Sequence, residues 1–265
     1  MTFYRKVKAG VPSAYFDIEA AGLRWLSVPD GPPVVRVRDV ATDHLELERI
    51  VPGRPGEDDH RRFGVQLAHL HRTEAWAFGC PPDGVNRSEG FIADLPLPYG
   101  DWGAFGPFYA EARIRPYLDL LGAAGGLPEA VHTTFESLLA ALRDSDPAVV
   151  GPASTPRRIH GDLWSGNVVW GRPDTDDETR LGGWLIDPAA HGGHPETDLA
   201  MLALFGQPGL ELILAGYQSV SPLPAGWRGR IPLHQVHPLL VHAVLFGGGY
   251  LAQAHSAARA ALAAV

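Results

Sequence analysis

Arg158-Ile159-His160-Gly161-Asp162-Leu163-Trp164-Ser165-Gly166-Asn167, followed downstream by Ile186-Asp187-Pro188, is the stretch that decides how this chain is read. Two short apolar runs lie between the two pieces, Val168-Val169-Trp170 and Gly183-Trp184-Leu185-Ile186. They are separated by Arg172-Pro173-Asp174-Thr175-Asp176-Asp177-Glu178, a polar, proline-containing segment that reads as a turn. The simplest structure for this pattern is an antiparallel hairpin. Asn167 enters its first strand and Asp187 leaves its second, so the two stand side by side at the open end. Asp162, one short loop earlier, can point into the same place.

Two carboxylates and a carboxamide on one loop edge form an oxygen-rich site. Mg²⁺ prefers such ligands and commonly binds through one or two carboxylates plus substrate phosphates. An aspartate, an asparagine five positions later and a more distant aspartate match the phosphoryl-transfer pattern of base, metal amide and metal acid. The competing reading is a loop whose Asp and Asn only cap turns; the His-Gly-Asp start, the spacing and the hairpin context together favour the site.

His160 to Asn167, then Ile186-Asp187-Pro188-Ala189, then Gly193-His194-Pro195-Glu196-Thr197-Asp198-Leu199-Ala200-Met201 resemble the fructosamine kinase (ketosamine-3-kinase) family. The Trp164-Ser165 pair carries the specificity, because a bare His-Gly-Asp…Asn fits many small-molecule kinases. The likeness runs from Tyr4 to about Ala254. It implies an α+β, protein-kinase-like fold in two lobes, a small antiparallel-sheet lobe over 1–52 and a mainly helical lobe over 53–265. It also implies ATP and Mg²⁺ as cofactors, and transfer to the 3-hydroxyl of a ketosamine, free or on a protein lysine, as a deglycation repair step. In that frame Asp162 is the catalytic base, Asn167 and Asp187 hold the metal, and His160 and Asp198 are structural.

The totals are ordinary for a globular protein. The chain has 265 residues, 45% hydrophobic and 20% charged, enough for one large or two modest domains. A net charge of −8 argues against a nucleic-acid partner, which favours a basic face. Cys80 is the only cysteine, which excludes an intrachain disulfide. No apolar run reaches the ~18 residues of a membrane span, and the N-terminus lacks a secretory apolar segment. The expectation is a cytoplasmic protein with no membrane partner.

Phe3 to Lys8 reads as a strand by its aromatic and β-branched content. Ser13 is a candidate N-cap for a helix with Phe16, Ala20 and Leu23 on its apolar face. A strand lysine followed by a helix glutamate is the other half of a kinase site: Lys6 holds phosphates and Glu19 aims it. Lys8 shares the strand face with Lys6 and competes for that role. Val34 to Val40 and His44 to Ile50 read as further strands. Glu46 to Ile50 resembles the family's hinge, where backbone groups around Glu48 and Ile50 meet adenine. In the family a hairpin with a phosphate-covering loop precedes the lysine strand; here the lysine is residue 6. Either the chain start is misassigned and that hairpin is missing from the sequence, or the small lobe is shortened; without it the expectation is an unpaired sheet edge and weaker nucleotide binding.

Asp59 to Thr73 reads as a helix, and Ala77 to Gly100 as loop. Asp101 is a candidate N-cap for a helix carrying Phe105, Phe108 and Tyr109, which resembles the family segment walling the sugar; Asp101, Trp102 and Trp164 are the expected substrate-side residues. The alternative for Trp102 and Phe108 is core packing. Pro128 to Leu142, Pro195 onward with Leu199, Leu202 and Phe205 inward, Leu210 to Val220, and Pro232 to Ala264 complete the expected helices. Gly247-Gly248-Gly249 is expected to permit close helix packing, and Ala189 to His194 to be a flexible loop whose His191 and His194 lack a third metal ligand. Two other functions fit the same residues: a kinase of another hydroxylated amine, aminoglycoside-like or choline-like, and a silent nucleotide-binding module. A histidine-based metal hydrolase is the weakest reading.

Overall fold

A computed structural model describes residues 3–86, 90–174 and 180–263. The middle of the expected turn, 175–179, lies outside them. The chain opens with strand β1 (Phe3–Val7), helix α1 (Tyr15–Leu26) and strands β2 (Val37–Val40) and β3 (His44–Glu48). The strands form one antiparallel sheet in the order β1-β3-β2. Helix α1 buries Phe16, Ala20 and Leu23 as their i, i+4, i+7 spacing dictates. Its cap differs from expectation: Ala14, not Ser13, occupies the N-cap, and no side chain caps it, because Tyr15 N–H bonds to Pro12 O and starts the turn without help. Among the described residues one edge of β1 has no strand partner, and Phe3, Tyr4 and Val7 on it are 46%, 59% and 68% exposed.

The expected strand to Ile50 is two strands. β3 stops at Glu48, and β4 (Ile50–Pro52) pairs not with the small sheet but with β8 (Val168–Pro173). β8 pairs antiparallel with β9 (Gly182–Leu185), Val168 opposite Leu185, which is the hairpin read from the sequence. Residues 33–35 are pinned to the other side of β9: Leu185 N–H donates to Pro33 O at 2.9 Å and Val35 N–H to Leu185 O at 3.2 Å. The two crossings between sheet and hairpin are themselves joined, since Glu48 N–H donates to Arg36 O at 2.9 Å.

The rest is mainly helical: α2 (Glu57–Arg72), α3 (Phe105–Phe108) running through a π-turn at Tyr109–Ile114 into α4 (Arg115–Ala123), α5 (Glu129–Arg143) and α6 (Pro147–Val150). After the hairpin come α7 (Pro195–Leu204), α8 (Leu210–Val220), α9 (Trp227–Phe246) and α10 (Tyr250–Ala263). One apolar core joins α1, β3, α2, the hairpin and α8; a second joins α3 to α5 with α9 and α10. Among the described residues no helix is long and apolar enough to cross a membrane.

Four local expectations are corrected. The 77–100 loop contains a small hairpin, β5 (Phe91–Ile92) with β6 (Leu95–Pro96). Asp101 does not cap a helix: Trp102 exchanges two backbone hydrogen bonds with Phe78, so the chain there is extended and α3 begins only at Phe105. The 189–194 segment is ordered, with β10 (His191–Gly193) pairing with β7 (Arg157–Ile159). Gly247 and Gly248 have φ of 63° and 62° with open space around their Cα atoms. They turn the chain between α9 and α10 instead of bringing helices into close contact.

Candidate active site

The catalytic segment is built around a tight loop between β7 and β8. Gly161 takes φ 80°, and a Cβ there would sit 2.2 Å from Ala189 O, so both backbone shape and space require glycine. The loop is held from below by Asp198 at the start of α7. Its carboxylate is fully buried and accepts from His160 N–H (2.8 Å), Gly161 N–H (2.9 Å) and the His71 ring at Nε2 (3.1 Å). Burial pushes the Asp198 carboxyl up, but the hydrogen bond and charge of His71 outweigh it and hold it below the usual range. From the sequence His71 reads only as a packing or surface residue; its role depends on a partner 127 positions away.

His160 is buried and ties two strands of the site together. Its Nε2 lies 2.9 Å from Ile186 O, and its Nδ1 is 3.2 Å from the Asp162 amide. A carbonyl accepts and an amide donates, so these partners assign the proton to Nε2. Burial lowers the pKa of this ring. It is therefore a neutral strut, not a proton carrier.

Asn167 donates Nδ2–H to Asp162 O at 2.8 Å and to Asp162 Oδ2 at 3.0 Å. The same amide reaches 3.5 Å from Asp187 O. Asp187 has φ 51°, the left-handed region that Asp tolerates better than most residues. Its Oδ1 is 3.0 Å from Lys6 Nζ. Lys6 in turn contacts both Glu19 oxygens at 3.0 and 2.9 Å. Lys8, the competing lysine, pairs with Asp94 and lies 3.4 Å from Tyr15 Oη. The structure thus brings Asp162, Asn167, Asp187, Lys6 and Glu19 into one cleft of about 380 Å³.

The charges in that cleft do not balance. Burial pushes the Asp162 carboxyl up to about 7, with the neighbouring Asp187 and Asp198 carboxylates adding to it. Burial likewise raises Glu19 to about 7 against the pull of Lys6. Lys6 is held charged, because Glu19 and Asp187 outweigh its own burial. Three acids face the Lys6 ammonium, which Glu19 and Asp187 share, while Lys8 is paired with Asp94; Asn167 spends its Nδ2 while leaving Oδ1 as an acceptor. An oxygen donor set with surplus negative charge fits a divalent cation held by Asn167 and Asp187.

Trp164 also lines the cleft. Asp101 and Trp102 do not: Trp102 packs on Phe108 with ring centroids 5.6 Å apart, so its aromatic face serves the core. Glu48 and Ile50 are likewise absent from the cleft lining, being strand residues opposite Phe3 and Pro173. The walls unforeseen from the sequence are Phe91, Ile92 and Ala93 of the small hairpin, and Val241, His242, Leu245 and Phe246 of α9. No local motif marks them; they meet the catalytic loop only through the fold.

One group of metal-ligating types lies outside the cleft among the described residues. His194 finds the partners that its neighbourhood in sequence lacked: ligand atoms of His194, Glu196 and His234 lie within 4.8 Å of one another. Arg230 already forks onto both Glu196 oxygens at 2.9 and 2.6 Å. Burial would raise Glu196, but its His234 and Arg230 partners hold it at about 2, and burial lowers His194 to about 3. The guanidinium supplies the positive charge, and this is a buried ion pair flanked by the His194 and His234 rings.

A kinase-like sheet with a lysine-glutamate pair, above a helical lobe carrying the Asp-Asn-Asp loop edge, defines a phosphotransferase with an alcohol group as acceptor. Comparison with known proteins narrows the class. The chain belongs to the fructosamine kinase family, whose model matches residues 1–264. A "Probable ketoamine kinase" of Klebsiella aerogenes is 36% identical over 254 residues, 93% of this chain and 80% of that protein. The crystal structure of a Thermobifida fusca protein described as a fructosamine-3-kinase superposes with a TM-score of 0.86 at 42% identity, covering 98% of this chain and 85% of that one. The aminoglycoside phosphotransferase APH(2")-IIa, solved with streptomycin and ATP, shares the fold at 16% identity, with a TM-score of 0.55 over 95% of this chain and 84% of its own.

Proposed function

We propose that this protein transfers the γ-phosphoryl group of ATP to the 3-hydroxyl of ketosamines, free or on protein lysines, in a cytoplasmic deglycation pathway. The observation that carries the reading is the convergence of Asp162, Asn167, Asp187, Lys6 and Glu19 on one cleft, within a chain of the fructosamine kinase family. Phosphoryl transfer asks little covalent chemistry of a protein, so positioning and charge dominate. Asp162 accepts the proton of the acceptor hydroxyl, whose oxygen bonds to phosphorus as the bond to the leaving ADP oxygen breaks. A base raised to about 7 is suited to that exchange near neutral pH. Lys6 contacts the phosphates and Glu19 keeps its long side chain aimed. Mg²⁺, held by Asn167 and Asp187, supplies charge neutralisation for the phosphates when bound. Adenine meets the backbone of the 46–50 segment between the lobe of residues 1–52 and the lobe of 53–265, and neither a nucleic acid nor a membrane takes part.

The test is ADP release from ATP with a panel of acceptors. Turnover of fructosamines, ribulosamines or erythrulosamines with formation of the 3-phosphate supports the reading. Turnover of aminoglycosides or choline without ketosamines assigns the cleft to another hydroxylated amine. Nucleotide binding by calorimetry with no ADP release from any acceptor marks a silent module.

A further inference from the structure

The cleft has a wall that phosphoryl transfer does not use. Val241, His242, Leu245 and Phe246 of α9 line it together with Asp162 and Trp164, whereas none of residues 46–50 does. A chain of rings ties this wall to the base side of the cleft, since Trp164, two residues from Asp162, stacks edge-on to Phe205 at 6.1 Å and Phe205 meets His242. His242 sits among aromatic rings, with centroids 4.9 Å from Phe205, 5.1 Å from Tyr250 and 5.4 Å from Phe246. Its Nδ1 lies 2.7 Å from Pro238 O. A carbonyl can only accept, so Nδ1 carries a proton and Nε2 of the neutral ring is an acceptor. Phe246 is 66% exposed and Trp164 is 39% exposed. Two large rings left open on one cleft mark a binding surface more often than an accident of folding.

We propose that this α9–α10 corner, with His242 and Phe246 at its centre, is the subsite for the substituent on the acceptor's nitrogen. The inference rests on the ketosamine reading. A ketosamine has a polyhydroxylated chain at one end, a secondary ammonium in the middle and the nitrogen substituent at the other end. Asp162 requires the hydroxyl end. The ammonium is drawn by the surplus of carboxylates and by ring faces, and His242 Nε2 accepts one of its N–H bonds. The substituent then leaves the cleft past Phe246, where an aromatic or long alkyl group gains contact and a methyl group does not.

Two acceptors with the same sugar test this, one built on methylamine and one on phenethylamine. Covering about 50 Å² of apolar surface corresponds to a preference of about tenfold in KM for the larger acceptor. Phe246→Ala is expected to shrink that preference to within about twofold, the loss appearing in KM and not in kcat. His242→Ala is expected to raise KM for both acceptors, because both carry the ammonium. Unchanged thermal melting checks that the variants fold, and Phe246→Leu, which keeps bulk but loses the ring face, gives a second reading. Equal KM values for the two acceptors in the parent protein, a preference that survives Phe246→Ala, or a loss confined to kcat overturns the subsite alone. Absence of turnover with either acceptor overturns both the subsite and the ketosamine reading.

Discussion

Replacing Asp198 by Asn keeps the shape of the side chain and removes its charge. In the structure that carboxylate accepts three hydrogen bonds, from His160 N–H, Gly161 N–H and His71 Nε2, and no part of it reaches solvent. An Asn offers one acceptor oxygen, so its amide must face at least one of those donors. One orphaned buried donor costs about 1–3 kcal/mol, and the remaining bonds weaken as they lose their charge assistance. The sum is about 3–4 kcal/mol, a large part of the 5–15 kcal/mol of a typical domain. Denaturant unfolding of parent and variant measures it directly. The acid limb provides a second signature. Asp198 is held below its unfolded value, so its contribution is fully present above about pH 4 and is lost as pH falls through the folded value. The variant should therefore show a flatter decline of stability on acidification. A variant within about 0.5 kcal/mol of the parent, with the same acid limb, refutes the view that Asp198 braces the loop.

Asp162→Asn should lower kcat by about 10²–10⁴-fold with nucleotide affinity by calorimetry retained, and near-parental turnover removes the base assignment. Asp187→Ala should weaken nucleotide binding in the presence of Mg²⁺ far more than in its absence; equal weakening under both conditions points to Lys6, its ion-pair partner, instead of a cation. Gly161→Ala must carry a side chain at φ 80° into Ala189 O, costing upwards of about 1–2 kcal/mol and lowering the melting temperature; a neutral outcome contradicts the loop geometry.

What could be read in the sequence was what is local. The hairpin with Asn167 and Asp187 at its open end follows from two apolar runs and a polar turn, and α8 occupies Leu210–Val220 as its pattern indicates. Lys6 and Glu19 were legible as a pair only because the later motif gave them a context, and the structure joins them at 2.9 Å. For Trp102 the sequence left both a wall of the sugar site and core packing open, and the backbone pairing with Phe78 that decides for the core is invisible along the chain. His71 lies 127 positions from the Asp198 it touches, and His242 and Phe246 lie dozens of residues from the Asp162 and Trp164 with which they line one cleft. No spacing rule reports such meetings. The triglycine at 247–249 misled for a different reason: glycine permits both close approach and positive φ, and only coordinates say which is used.

The double anchoring of the small sheet has a mechanical consequence. Residues 33–35 are fastened to β9 and residues 50–52 to β8, so the sheet leaves the hairpin at only two points, near Arg36 and at the Glu48–Arg49 junction. These points are bonded to each other, which makes them a single pivot. Any rocking of the lysine strand toward or away from the catalytic loop turns about that line, so residues beside Glu48 barely move while the Lys6–Asp187 contact, away from the pivot, must open.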